Sequence, residues 1–127
     1  MASRGRMVIV IEDDESMREA LVRLLSAAGF ESLAWASAEE FLATQTDDGV
    51  ACLVSDLRLP GISGLDLLAL LRSRSDRTPF ILVTAHDQPG QREESARRGA
   101  TAYLIKPFRG TVLLETVRAT IAPPGPS

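Results

Sequence analysis

The chain has 127 residues, of which 45% are hydrophobic and 24% charged, a composition that suits one compact domain with one core. No apolar run approaches the roughly 18 residues of a membrane span, and a formal charge of -3 gives no general attraction to nucleic acid or anionic membrane. A single cysteine, Cys52, excludes an internal disulfide and a cysteine-based zinc site. We therefore expect a cytoplasmic protein with no direct nucleic-acid or membrane contact, and Cys52 as a buried core thiol.

In the first half of the chain, short β-branched apolar runs alternate with longer segments at helical spacing. Asp14 and the Ser37 to Glu40 capping box suit helix starts, and Gly29 is placed to end the first helix. The predicted elements are a strand over residues 7–11, a helix over 15–28, a strand over 30–36 and a helix from the Ser37 cap to about Thr46.

The second half repeats this alternation. The predicted elements are a strand over residues 51–55, a helix opened by Ser63, a strand over 80–83, a helix over 88–98, a strand over 102–105 and a helix over 111–121. The fourth helix has almost nothing to bury, since Ala96 is its only apolar residue apart from Pro89, and we expect it to be weakly held. Residues 1–121 form the predicted domain, and residues 122–127 a linker stub or disordered tail.

Five strand–helix units with right-handed crossovers predict an α/β fold, a doubly wound three-layer sandwich around a parallel sheet. Ligands of such sheets bind outside the carboxyl ends of the strands. The residue that follows each strand therefore indicates the site. The polar residues found there are Glu12, Asp13, Asp14, Asp56, Thr84, His86 and Lys106.

If the first and third strands are neighbours, the carboxylates of Glu12, Asp13 and Asp56 converge. Two unit charges about 4 Å apart repel by roughly 4 kcal/mol at an effective dielectric near 20, so a positive group must offset them. Hard oxygen ligands suit Mg²⁺ or Mn²⁺, Lys106 supplies a second cation, and Thr84 can donate to a phosphate oxygen. This set predicts that Asp56 is a nucleophile whose acyl phosphate is held by the metal, Lys106 and Thr84.

Four separated motifs resemble the receiver domain of bacterial two-component response regulators. They are "EDDESMR" after the first strand, "SDLRLPGISGLDLL" around Asp56, "VTA" at residues 83–85 and "YLIKPF" at residues 103–108. The resemblance covers about residues 7–121, and the stretches "LPGISGLDLL" and "KPFRGTVLLETVRA" are similar to receivers of LuxR-type transcription regulators. It implies a three-layer (βα)5 sheet with the flavodoxin-like strand order 2-1-3-4-5.

The resemblance also implies roles for the acidic residues. Asp56 would accept a phosphoryl group from a histidine kinase or phosphotransfer protein. Asp13, Asp56 and the backbone carbonyl of Arg58 would bind Mg²⁺, while Glu12 would complete the site through a metal-bound water. Many family members have Asp where this chain has Glu12. The Lys106–Pro107 peptide bond would be cis.

Further implied roles concern switching. Thr84 and Lys106 would bind the phosphoryl group, and Tyr103 would change rotamer with Thr84. Arg58 and His86 stand at positions that tune phosphoryl-transfer and hydrolysis rates. The surface of the fourth helix, fifth strand and fifth helix would then control a partner, a homodimer or a DNA-binding output domain outside this chain. Such a domain is not an enzyme, although it assists its own phosphorylation and dephosphorylation.

Three other functions are compatible with part of this pattern. A metal-dependent phosphatase with an aspartyl nucleophile usually has a second Asp two residues later, where this chain has Arg58. A flavodoxin-like cofactor binder fits the fold, but the acidic loop after the first strand would repel a cofactor phosphate. A phosphate-independent adaptor of the same fold stays open, although the complete set of site residues argues against it.

Overall fold

A computed structural model describes residues 7–44 and 49–121, in which strands and helices alternate as the sequence predicts. The elements are β1 (Met7–Ile11), α1 (Glu15–Ala27), β2 (Glu31–Trp35), α2 (Ala38–Leu42), β3 (Val50–Asp56), α3 (Gly64–Ser73), β4 (Phe80–Thr84), α4 (Gln91–Arg97), β5 (Ala102–Ile105) and α5 (Gly110–Ile121). The predicted linker or tail, residues 122–127, lies outside the described residues.

The five strands form one parallel sheet in the order β2-β1-β3-β4-β5. Successive strand residues face opposite sides: Val8 and Val10 pack with α1 and α5, whereas Ile9 and Ile11 pack with α3. The predicted three-layer (βα)5 fold and strand order are therefore confirmed. No helix among the described residues is both long and apolar enough to cross a membrane.

Cys52 lies on the side of the sheet that faces α1 and α5, and it is fully buried, as predicted. Burial disfavours the thiolate and raises the pKa of the Cys52 thiol to about 11, although a hydrogen bond with Thr120 acts in the opposite direction. Cys52 is therefore a packed core residue with a protonated thiol at neutral pH.

Two strands extend one residue beyond their predicted ends. β3 includes Asp56 and β4 includes Thr84, because the ladder continues past both residues. The N–H of Leu57 donates to the carbonyl of Val83 at 2.8 Å, and the N–H of Lys106 donates to the carbonyl of Thr84 at 2.7 Å. The two functional candidates are thus held as the last residues of strands rather than as the first residues of loops.

Other boundaries move slightly. β2 is shorter than predicted at both ends, β3 begins at Val50, α1 ends at Ala27 and α5 begins at Gly110. The prediction that α2 runs to about Thr46 is wrong for Ala43 and Thr44, since their N–H groups close a turn on the carbonyls of Glu39 and Phe41. Residues 45–48 lie outside the described part of the chain.

The fourth helix differs most from its prediction. It begins at Gln91 rather than at residue 88, because Gly90 adopts a left-handed conformation (φ 79°) at the N-cap, and it ends at Arg97. Its buried residue is Ser95, whose Oγ donates to the Gln91 carbonyl at 2.8 Å, whereas Ala96 is exposed. α4 therefore buries no large apolar side chain against the domain.

Gly64 is the first residue of α3 and lies against the end of β3. Its N–H donates to the Leu57 carbonyl at 2.8 Å, and a Cβ built at this position would collide with the backbone carbonyl of Asp56. The same carbonyl accepts a hydrogen bond from the Ser55 hydroxyl at 3.0 Å. The absence of a side chain at Gly64 lets α3 begin directly behind Asp56.

Gly64→Ala is expected to lower the free energy of unfolding by about 1–3 kcal/mol, because its Cβ would push against backbone atoms that cannot yield. Gly110→Ala is the matched control, since Gly110 also begins a helix but its Cβ would meet the flexible Leu24 side chain. Urea unfolding of both variants measures the difference. Equal losses would contradict the close approach as the cause.

Amide hydrogen exchange is expected to be faster in α4 than in α5, because α5 buries Leu113 and Val117 whereas α4 buries only Ser95. Exchange measured by mass spectrometry or NMR over Gln91–Arg97 and Gly110–Ile121 checks this ordering. Similar protection in the two helices would show that the small buried surface of α4 does not control its opening.

Candidate functional site

The strand pairing brings the candidate residues to the carboxyl edge of the sheet. Ile11 pairs with Ser55, so the residues that follow them, Glu12 and Asp56, are neighbours. Thr84 is the last residue of β4 and pairs with Ile105, and Lys106 follows at once. The residues predicted from the ends of four strands therefore meet at one place.

Lys106 bridges two acidic residues at this edge. Its Nζ donates to Glu12 Oε1 at 2.9 Å and to Asp56 Oδ2 at 2.9 Å. Glu12 is only 1% exposed and Asp56 8% exposed, so both carboxylates are largely removed from water. The bridge therefore places one positive charge between two buried acidic groups.

The pKa values of these groups follow from burial and pairing. Desolvation by itself would lower the pKa of Lys106, but the hydrogen bonds to Glu12 and Asp56 and their negative charges together raise it. The pKa of Glu12 is also raised, because desolvation by burial outweighs the bonds it accepts from Lys106 and from the Asp14 N–H. The attraction of Lys106 thus offsets only part of the cost of burying the charged form of Glu12.

Asp13 completes a cluster of three carboxylates. Oxygen atoms of Glu12, Asp13 and Asp56 lie within 4.8 Å of one another, and Asp13 is exposed whereas the other two are buried. The donor set consists of hard oxygen ligands with excess negative charge, which is the chemistry that Mg²⁺ and Mn²⁺ prefer. The residues present therefore fit a divalent cation.

The Asp56 carboxylate is held on two sides. Oδ2 accepts from Lys106, while Oδ1 accepts from the backbone N–H of Arg58 at 3.3 Å. The Arg58 side chain is exposed, and its predicted roles, a carbonyl ligand and a rate-tuning side chain, stay predictions. Asp56 is thus oriented by one side chain and one backbone amide, both on the open edge of the sheet.

The backbone of the acidic loop has a support that the sequence analysis missed. Nη1 of Arg18 donates to the carbonyl of Glu12 at 2.9 Å, one turn into α1. Asp14 caps that helix, as predicted, by accepting from the Met17 N–H at 3.2 Å. Arg18 is the last residue of the motif "EDDESMR", but a bond from a helix side chain to a loop carbonyl has no sequence pattern that predicts it.

Thr84 is fully buried at the end of β4. Its hydroxyl accepts a hydrogen bond from the backbone N–H of His86 at 3.0 Å, which ties it to the loop between β4 and α4. The His86 side chain is exposed, and its predicted rate-tuning role stays a prediction. The Lys106–Pro107 peptide bond is cis, as predicted.

Tyr103 lies in β5 and is 6% exposed. Its hydroxyl donates to Asp87 Oδ1 at 2.6 Å and accepts from Nε2 of Gln91 at 2.6 Å, and the Arg92 guanidinium lies 4.8 Å from the ring centroid. Burial raises the pKa of Tyr103, and the bond to Asp87 raises it further. Tyr103 is predicted from the sequence, whereas its partners Asp87 and Gln91 carry no signal that could identify them.

A sequence profile described as the response regulator receiver domain matches residues 8–118. The chain belongs to the response regulator receiver family. This confirms the family predicted from the four motifs, and with it the prediction of a phosphoacceptor signalling switch of two-component systems.

Similar proteins include transcriptional regulators. Nodulation protein W of Bradyrhizobium diazoefficiens is 41% identical over 118 residues, which are 93% of this chain and 52% of that protein. Transcriptional regulatory protein FixJ of Azorhizobium caulinodans is 37% identical over 114 residues, 90% of this chain and 54% of FixJ. Full-length FixJ from B. japonicum superposes with a TM-score of 0.79 at 31% identity, covering 91% and 57% of the two chains. The receiver domain spans about half the length of these relatives.

The raised pKa of Glu12 predicts how stability changes with pH in metal-free buffer. Below the ordinary pKa of 4.5, Glu12 is protonated in both the folded and unfolded states. Between this value and the raised folded-state pKa, the unfolded state has lost its proton while the folded state keeps it. The free energy of unfolding therefore falls as the pH rises through this range, by at most about 1.4 kcal/mol per pH unit for this group.

Glu12→Gln removes this titration. The difference in unfolding free energy, wild type minus Glu12→Gln, is therefore expected to decrease from pH 4 upward and then level off. Urea unfolding of both proteins across this range measures it, and the subtraction cancels the titration of carboxylates that contact neither Glu12 nor its partner Lys106. A difference that increases with pH would mean that attraction to Lys106 outweighs burial at Glu12.

Proposed function

We propose that Asp56 is the phosphoacceptor of this receiver domain. The observation that carries the proposal is the Asp56 carboxylate, which ends β3 with one oxygen on the Lys106 ammonium and the other on the Arg58 N–H, beside Glu12 and Asp13. The carboxylate oxygen attacks phosphorus in a phosphohistidine of a kinase or phosphotransfer protein. The P–N bond breaks, its electron pair stays on the imidazole nitrogen, and an acyl phosphate forms on Asp56.

A divalent cation fits the acidic cluster. Asp13, Asp56 and the backbone carbonyl of Arg58 would hold Mg²⁺ or Mn²⁺, with Glu12 acting through water. When bound, the cation supplies positive charge to the oxygens of the transferred phosphoryl group. The carboxylates of this chain supply the ligand oxygens, and their uncompensated negative charge makes the site attractive to cations.

Lys106 and Thr84 bind the phosphoryl group in this proposal. Lys106 already touches Asp56, so its ammonium lies beside the oxygen that carries the phosphoryl group. Thr84 at the neighbouring strand end can donate its hydroxyl proton to a phosphate oxygen. The phosphoryl group adds about -1.5 to -2 charges at neutral pH, and the two residues place a cation and a donor where that charge appears.

Phosphorylation then shifts the conformational equilibrium. Thr84 turns toward the phosphoryl group, Tyr103 changes rotamer, and the α4–β5–α5 surface rearranges to control a partner, a homodimer or an output domain. The small buried surface of α4 supports this view, because two arrangements of such a helix differ by only a few kcal/mol. The exposed side chains of Arg58 and His86 tune the rates of phosphoryl transfer and hydrolysis.

The proposal extends to the cellular setting. The domain is a phosphoacceptor that assists its own phosphorylation and dephosphorylation, not a turnover enzyme, and it works in the cytoplasm with a histidine kinase or phosphotransfer protein. Because named relatives such as FixJ are transcriptional regulatory proteins of about twice the matched length, a DNA-binding output domain outside this chain is the proposed effector. The receiver domain itself, with a formal charge of -3, contacts neither nucleic acid nor membrane.

Incubation with acetyl phosphate and Mg²⁺ tests the phosphoacceptor. Wild-type protein is expected to gain one phosphoryl group by intact mass, and hydroxylamine should release it, because acyl phosphates are cleaved by this nucleophile. Asp56→Asn should abolish the adduct, since an amide oxygen is a far weaker nucleophile.

Asp66→Asn serves as the matched control, because Asp66 is an exposed residue in the first turn of α3. It should be phosphorylated like the wild type. No adduct on the wild type, or an adduct that persists in Asp56→Asn, would refute the proposal and favour a phosphate-independent adaptor or another acceptor.

A further inference from the structure

The loop between β3 and α3, residues 57–63, begins at the site and returns behind it. The N–H of Leu57 donates to the Val83 carbonyl at 2.8 Å, and the Leu57 carbonyl accepts from the Gly64 N–H at 2.8 Å. These two bonds hold the base of the loop. Arg58, whose N–H faces Asp56 Oδ1, is the first residue beyond that base.

The tip of the loop is held from a different helix. Glu39 Oε2, in the first turn of α2, accepts from the backbone N–H of Ile62 at 2.9 Å, across 23 residues of sequence. Within the described part of the chain, Glu39 is the one side chain outside β3 that hydrogen-bonds the backbone of this loop. The sequence analysis treated Glu39 only as part of the helix start.

The backbone at the tip is shaped around the Glu39 carboxylate. Gly61 adopts a left-handed conformation (φ 76°), and a Cβ built on it would collide with Oε2 of Glu39. The carboxylate therefore occupies the space that any other residue at this position would need. Leu59 and Ile62 pack against the core between the sheet and α3, but apolar packing does not set the direction of peptide groups.

We infer that Glu39 is a positioning residue for the cation site. By holding the tip through Ile62, it limits the conformations of the loop and so keeps the backbone of Arg58, whose N–H donates to Asp56 Oδ1, beside the acidic cluster. The bond is exposed to solvent, but its acceptor is charged, and hydrogen-bonded supports of ligand groups affect metal affinity. This inference rests on the proposed function, because it concerns the same cation site.

The test compares wild type, Glu39→Ala, Glu39→Gln and the control Glu19→Ala, which removes an exposed carboxylate from α1. Isothermal titration with Mg²⁺ gives the dissociation constant, and hydrogen exchange of the metal-free proteins gives the protection of the Ile62 amide. Glu39→Ala should bind Mg²⁺ about three- to tenfold more weakly and lose Ile62 protection. Glu39→Gln keeps an acceptor oxygen and should stay within about twofold of the wild type.

The Mg²⁺ dependence of labelling by acetyl phosphate distinguishes a role in positioning the cation site from a purely structural role. Glu39→Ala should need more Mg²⁺ for half-maximal rate yet reach the wild-type rate at saturation. A lower maximal rate with unchanged Mg²⁺ dependence would overturn the inference, and so would Mg²⁺ affinity and Ile62 protection equal to those of the Glu19→Ala control. If the wild type itself binds no Mg²⁺ and forms no adduct, the proposed function fails first and takes the inference with it.

Discussion

The site depends on the ammonium group of Lys106, which holds together two buried carboxylates. Two like charges at the distances found here repel by several kcal/mol at the effective dielectric of a protein, and Glu12 and Asp56 are both too buried for water to reduce this repulsion fully. Lys106 reaches both of them but carries only one charge. The remaining negative charge makes the cluster of Glu12, Asp13 and Asp56 attractive to cations.

The sheet determines where these charges lie, and their positions can be predicted from the sequence as far as the ends of the strands can. Apolar runs mark each strand, and a parallel sheet collects their carboxyl ends at one edge, so Glu12, Asp56 and Lys106 could be grouped before any coordinates. That Asp56 and Thr84 are the final residues of β3 and β4 could not be predicted, because their place in the ladder depends on hydrogen bonds donated by other segments. Side-chain bonds between distant elements, such as Asp87 to Tyr103, leave no periodic pattern in the sequence.

The packing of the domain differs on the two sides of this edge. Behind Asp56, Gly64 and Ser55 crowd the backbone, and α3 buries Leu67, Leu68 and Leu71 against the sheet. On the other side, α4 buries a serine and exposes its alanine, a reversal that hydropathy could not anticipate because the buried Ser95 hydroxyl finds its acceptor in the Gln91 carbonyl of its own helix. The rigid side suits the chemistry, and the loosely packed side suits a change of conformation.

The bond between the Thr84 hydroxyl and the His86 N–H opposes the rotation of Thr84 on which the proposed change of conformation depends. Turning the Thr84 hydroxyl away breaks this bond, and an intramolecular hydrogen bond contributes about 1 kcal/mol, which favours the present rotamer roughly fivefold. Residue 87 of the same loop holds the Tyr103 hydroxyl. Residues 85–87 thus connect the strand end to the partner of the aromatic hydroxyl, and in the proposed mechanism phosphorylation must supply about 1 kcal/mol to turn Thr84.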